Sequence, residues 1–129
     1  MARSIFHDAT MLATVLRVRD VSASIDWYRE KLGLEPVHVG ADGPDYPFAT
    51  FMIAGAVVSL WQLTASETIA PADSSTSYVA VVMNSDLHPV RSLLAERGVE
   101  VSEVRQSARN EFVWFYDLDG NRFELARPR

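Results

Sequence analysis

The sequence predicts an α+β fold built from two tandem βαβββ units. Three observations carry that expectation. The order strand, helix, strand, loop, strand, turn, strand runs twice along the 129 residues. The glycines that end the helices and hairpins recur at one offset. Gly33 and Gly98 stand 65 apart (98 − 33), as do Gly55 and Gly120 (120 − 55). The composition, 48% hydrophobic and 22% charged, is that of a globular chain, and the length suits one domain or two small modules sharing a core. The offset also pairs Glu35 with Glu100, Val39 with Val104 and Leu60 with Leu125. Identity between the halves is otherwise low, so the repeated order weighs more than the matched residues. The competing expectation is a generic α+β domain with coincident glycines.

Residues 11–18 (MLATVLRV) are apolar and β-branched and read as a strand. Asp20 or Ser22 can cap the helix that follows, which places Ile25, Tyr28 and Leu32 on one face. Gly33 ends it in the left-handed conformation that glycine adopts without steric cost. Residues 34–39 read as a second strand, and 40–47 (GADGPDYP) as a loop. Residues 48–53 and 56–63 form a hairpin about Ala54-Gly55. The polar stretch 64–76 is the best linker, drawn as residues 66–76 between a first module over 11–65 and a second over 77–128.

The second module opens with a strand over 77–83. Asp86 can cap a helix with Pro89 in its first turn, where the missing N–H is not needed. Val90, Leu93 and Leu94 are expected to face inward, and Gly98 closes the helix. Strands follow at 99–104, 112–116 and 123–126, the last two joined by the turn Asp117-Leu118-Asp119-Gly120.

Composition excludes several functions. A net charge of −5 and a pI near 5.1, with no Lys/Arg run, supply no field for nucleic acid or an anionic membrane. The absence of cysteine removes disulfides, thiolate metal sites and thiol nucleophiles. No stretch of about 20 apolar residues is present. Residues 1–10 make a poor signal peptide, so a cytoplasmic protein is expected.

LRVRDVSASIDWYREKLGLEPV (residues 16–37) and FVWFYDLDGNRFELARP (residues 112–128) resemble the vicinal oxygen chelate superfamily, which includes glyoxalase I, bleomycin- and fosfomycin-resistance proteins and extradiol dioxygenases. The resemblance spans about residues 11–128. It implies that each module curls into half of an open mixed sheet and that two modules enclose a cavity. It also implies a homodimer, with loops 40–47 and 64–76 at the mouth or interface. Carried over, the family's divalent-metal positions fall on Ala13, Ser59, Tyr78 and Glu124. Only Glu124 is a usual ligand; Ala13 has no donor and Ser59 is a weak one. No cofactor is therefore expected, and a divalent metal is disfavoured. His7, His38 and His88 form no ligand cluster, although an arm carrying His7 can fold over a cavity mouth.

Strand alternation groups the remaining candidates. Ser59 and Trp61 share one face; Phe48 and Met52 share another; Phe112 and Trp114 share a third; Arg122 and Glu124 share a fourth. Which faces line the cavity is left open by the sequence. The first functional expectation is metal-independent sequestration, of the bleomycin-resistance type, of an aromatic guest that can be cationic. Ser59, Trp61, Phe48, Met52, Phe112, Trp114 and Arg122 line the site, and Arg17 is a further polar candidate. The alternative is a lyase, isomerase or cyclase in which Glu124 and Tyr78 carry the acid and base work. A metal enzyme ranks third and a nucleic-acid role last.

Overall fold

Val15 pairs with Ser59, and 65 positions on, Ala80 pairs with Glu124. The repeat read from glycines is thus a repeat of strand register. The structure, a computed structural model, describes Ala2 and residues 4–129. The first module contains β1 (Ala13–Val18), α1 (Val21–Trp27), β2 (His38–Ala41), β3 (Pro47–Ile53) and β4 (Ala56–Gln62). The second contains β5 (Val79–Val82), α2 (Leu87–Glu96), β6 (Arg105–Gln106), β7 (Asn110–Tyr116) and β8 (Arg122–Pro128). Each forms a four-stranded mixed sheet, ordered β1-β4-β3-β2 and β5-β8-β7-β6. The β1–β4 and β5–β8 pairs are parallel and the other pairs antiparallel. The order within each sheet matches the expected βαβββ unit.

The punctuation residues act as their chemistry dictates. Asp20 accepts from the Ala23 amide at 3.2 Å and Asp86 from the His88 amide at 2.9 Å, so each caps its helix. Beyond α1 the chain widens into a π-helical turn over Tyr28–Leu32 before Gly33 turns left-handed at φ 68°. The β3–β4 turn takes positive φ at both Ala54 (51°) and Gly55 (78°), the conformation that a tight hairpin demands.

Four expectations need correction. The sheets are not strongly curled: each is open, with free edges at β1 and β2 or at β5 and β6. Edge strands of four and two residues are too short to carry a sheet around a cavity. The second strand starts at His38 rather than residue 34, because Pro36 has no amide to lend a ladder; Val37 first donates to Thr50 O. The strand expected over 99–104 reduces to a bridge between Val101 and Phe115. There the Ser102 hydroxyl takes the Trp114 amide at 3.0 Å, and pairing resumes at β6. Finally, Leu93 is 44% exposed, since the inward stripe of α2 runs through Leu87, Val90 and Leu94.

One core joins both modules. Phe51 and Phe123, one from each sheet, are fully buried, and each contributes about 1.5–3 kcal/mol by leaving water. Tyr28 lies between them, stacked on Phe51 (5.1 Å) and edge-on to Phe123 (6.2 Å). Its hydroxyl donates to Asp117 Oδ2 at 2.6 Å. Asp117 also accepts from the Asp119 and Asn121 amides and from Asn121 Nδ2. Asp119 accepts from the Arg19 amide (3.0 Å), Arg19 Nη1 (3.0 Å) and Ser24 Oγ (3.2 Å). The Asp-Xaa-Asp-Gly turn therefore clamps the end of β1 and the start of α1 to β8.

Burial raises the Asp117 carboxyl above the usual range, against the hydrogen bonds that favour its charge. Burial and that carboxylate together hold Tyr28 well above an ordinary phenol. Tyr28→Phe removes one hydrogen bond to a buried carboxylate and should lower urea-unfolding stability by about 1.5–3 kcal/mol. A raised folded-state value means the native protein binds the Asp117 proton more tightly than the unfolded chain. Asp117 therefore makes stability fall as pH rises from about 4 through its raised value. Asp117→Asn should flatten that part of the stability–pH curve.

Candidate functional site

Each sheet has a core face and an open face. On the first, Ala49, Phe51 and Leu60 point into the core. Alternation and register then place Val15, Arg17, Ser59, Trp61, Phe48, Thr50, Met52 and His38 on the open side. On the second, Val113, Phe115, Phe123 and Leu125 are buried, leaving Phe112, Trp114, Tyr116, Arg122, Glu124 and Ala80 on the open side. Tyr78 precedes β5 by one residue and lies beside Arg122. The sequence-derived candidates thus fall on the two open faces.

The aromatic residues on these faces are organised. Phe48 stacks on Trp61 at 4.8 Å and 15°, across the β3–β4 register. Trp114 meets Tyr116 edge-on at 6.0 Å. The Arg122 guanidinium lies over both Trp114 (4.7 Å) and Tyr78 (5.2 Å), and Arg105 lies over Trp114 at 5.7 Å. Arg122 Nε is buried without a hydrogen-bond partner among the described residues, a loss of about 1–3 kcal/mol. Cation–π contact with two rings, about 0.5–2 kcal/mol each, can offset it.

A cleft of about 420 Å³ lies between β1 and the start of β5; of the sequence-derived candidates, Arg17, Tyr78 and Arg122 line it, while Phe48, Met52, Ser59, Trp61, Phe112, Trp114 and Glu124 do not. Val15 and Arg17 line it from one sheet, Tyr78 and Arg122 from the other, and residues from Thr68 to Ser77 close it. A second hollow, about 250 Å³, lies over Val15, Arg17 and Trp61 beneath Asp42 and Tyr46. Residues of loop 64–76 thus line the first hollow and residues of loop 40–47 the second. The arm does not: His7 is exposed, and no residue of 4–12 lines either hollow.

Several candidates are apart or already engaged. Ser59 Oγ is hydrogen-bonded to Thr50 Oγ1 at 3.0 Å. Glu124 sits opposite Ala80 and Trp114, whereas Tyr78 lies one step along beside Arg122. Arg17 forms a two-pronged pair with Glu67, at 2.8 and 3.1 Å, which ties the linker to β1. Nothing in the sequence signals that pair, 50 residues apart, or brings Arg105 to Trp114.

The donor set does not fit a divalent metal. Ala13 offers nothing, the Ser59 hydroxyl is taken, and the Arg122 cation covers the Tyr78 ring. Glu124 is left as one carboxylate, and no cluster of three His, Asp or Glu exists among the described residues. Among those residues, too, no helix is long and apolar enough to cross a membrane.

The chain belongs to the Glyoxalase/Bleomycin resistance protein/Dioxygenase superfamily, whose sequence model matches residues 10–125. Among solved structures it is similar to the fosfomycin resistance protein FosX of Listeria monocytogenes (TM-score 0.75, 17% identity, 94% of each chain covered). A glyoxylase/bleomycin resistance protein/dioxygenase domain from Frankia sp. EAN1pec gives a TM-score of 0.72 at 19% identity, covering 95% of this chain and 93% of that one. A glyoxalase family protein from Enterococcus faecalis gives 0.73 at 18% identity, covering 95% and 99%. Comparison with curated protein sequences gives no match.

The Arg17 guanidinium and the Thr64 backbone amide hold the Glu67 carboxyl at about 2. A depressed value stabilises the fold above the unfolded carboxylate range, and that contribution is lost as pH falls towards 2. A carbon-detected NMR titration should find the Glu67 midpoint near 2; a midpoint near 4.5 would show that the linker tether is absent.

Proposed function

We propose that the protein binds an aromatic small molecule without a metal and without transforming it, as a sequestering or resistance-type protein does. The observation that carries this reading is the pairing of two aromatic faces, Phe48–Trp61 and Trp114–Tyr116, with a donor set unfit for a metal. Stacked rings offer rigid contact area at little entropic cost, and a flat guest extends the stack. Phe112 and Met52 widen these faces. The likeness to the fosfomycin resistance protein FosX and to a glyoxylase/bleomycin resistance protein/dioxygenase domain supports a small-molecule role through the shared fold.

Incubation with a panel of flat aromatic compounds should quench tryptophan fluorescence, and mass spectrometry should recover each bound compound unchanged. Trp61→Ala and Trp114→Ala should each weaken binding about tenfold or more. A chemically altered product, lost in Glu124→Gln while binding persists, would replace sequestration with acid–base catalysis by Glu124 and Tyr78.

A homodimer completes this reading. Ile5, Phe6, Met11 and Leu12 are 67–83% exposed, and Val15, Met52 and Val82 leave the open faces uncovered. Each such side chain gains about 1.5–3 kcal/mol on full burial, so a second copy laid over them is favoured. Sedimentation equilibrium should return twice the 14.4 kDa chain mass. A monomer at micromolar concentration would defeat the dimer and leave the ligand reading standing.

A further inference from the structure

We propose that the cleft between β1 and β5 is an anion site, and that its guest is an aromatic carboxylate anchored by Arg122. The proposal rests on the reading of the open faces as a binding site and adds the charge of the ligand. The lining holds two arginines and not one Asp or Glu, in a chain whose net charge is −5. One arginine is already neutralised, since Glu67 takes both prongs of Arg17. Arg122 forms no ion pair among the described residues, and its Nε–H is buried without an acceptor.

The geometry selects the anion's shape. Tyr78, just before β5, and Trp114, on β7, both lie under the Arg122 guanidinium, which leaves its buried Nε–H without an acceptor. A carboxylate accepts from a guanidinium side by side, in the guanidinium plane. An acid attached to a ring pairs with the charge and meets the neighbouring aromatic side chains together. Thr76, Ser77 and Asn121 add polar lining, while Val15, Leu16 and Ile69 give the body of the guest apolar wall. Arg122 and Arg105 both lie over Trp114, which faces Glu124 across the β7–β8 register, so that face carries two cations beside one carboxylate.

Calorimetry on the full chain with 2-naphthoate, 2-naphthamide and 2-naphthamidine separates the charge from the ring. The carboxylate should bind about tenfold or more tighter than the amide, with the amidine weakest. Arg122→Gln should erase the difference between carboxylate and amide, and Arg122→Lys should restore part of it. If Arg122→Gln fails to fold, the ranking of the three ligands on the native protein decides alone. Equal binding of all three, or tightest binding of the amidine, overturns the anion site and leaves the aromatic reading intact. Acetate or inorganic phosphate binding as tightly as naphthoate overturns the aromatic carboxylate. Failure of all three naphthyl compounds to bind at millimolar concentration overturns both readings.

Discussion

Two buried carboxylates in one turn hold the molecule together. Asp117 and Asp119 are 6% and 8% exposed, and an unpaired charge at that depth costs several kcal/mol. Each escapes the cost only if its donors arrive, and the donors come from both modules. Asp117 needs the Tyr28 hydroxyl, and Asp119 needs Arg19 and Ser24. The turn's own amides supply the rest. The second module thus cannot satisfy its turn without the first. The same bonds fix the end of β1 against the start of β8, with Asn121 Nδ2 donating to Arg17 O. The cleft between β1 and β5 is a product of that constraint.

The clamp breaks a symmetry that the strands otherwise keep. The positions equivalent to Asp117 and Asp119 in the first module, 65 residues earlier, are Met52 and Ala54. The first hairpin therefore turns on backbone conformation alone, with positive φ at Ala54 and Gly55. The second turns on side-chain hydrogen bonds as well. The two units share one register, and only the second carries the polar turn that binds it to the other. Desolvation explains why one polar turn suffices: a second buried pair would need a second complete set of donors.

What could be read from the sequence follows the range of the forces involved. Caps, glycine turns and strand alternation act within a few residues, so Asp20, Asp86, Gly33 and the β3–β4 turn were legible. The 65-residue offset was legible because the same strand register recurs in both units. The extents of the edge strands β2 and β6 were not, because they depend on what competes for the ladder. Pro36 withholds an amide, and the Ser102 hydroxyl intercepts one. The site was legible as a set of faces and not as an arrangement. Period two places Trp114 with Phe112, and Arg122 with Glu124, but only the β7–β8 pairing brings Arg122 over Trp114.

The poor metal donors at Ala13, Ser59, Tyr78 and Glu124 and the arginine-lined cleft belong to one electrostatic account. A divalent cation and a bare guanidinium repel each other, and near a partly buried site that repulsion is screened less than in water. Arg122 stands two residues before Glu124 on the same face of β8, beside Tyr78. A cation at the carried-over ligand positions would meet it across a face bordered by low-dielectric rings. With Ala13 offering no donor and Ser59 bonded to Thr50, the Glu124 carboxylate alone is left to oppose that repulsion. The charge that the site lacks is negative, and a protein with a net charge of −5 places none of its carboxylates in the cleft lining to supply it.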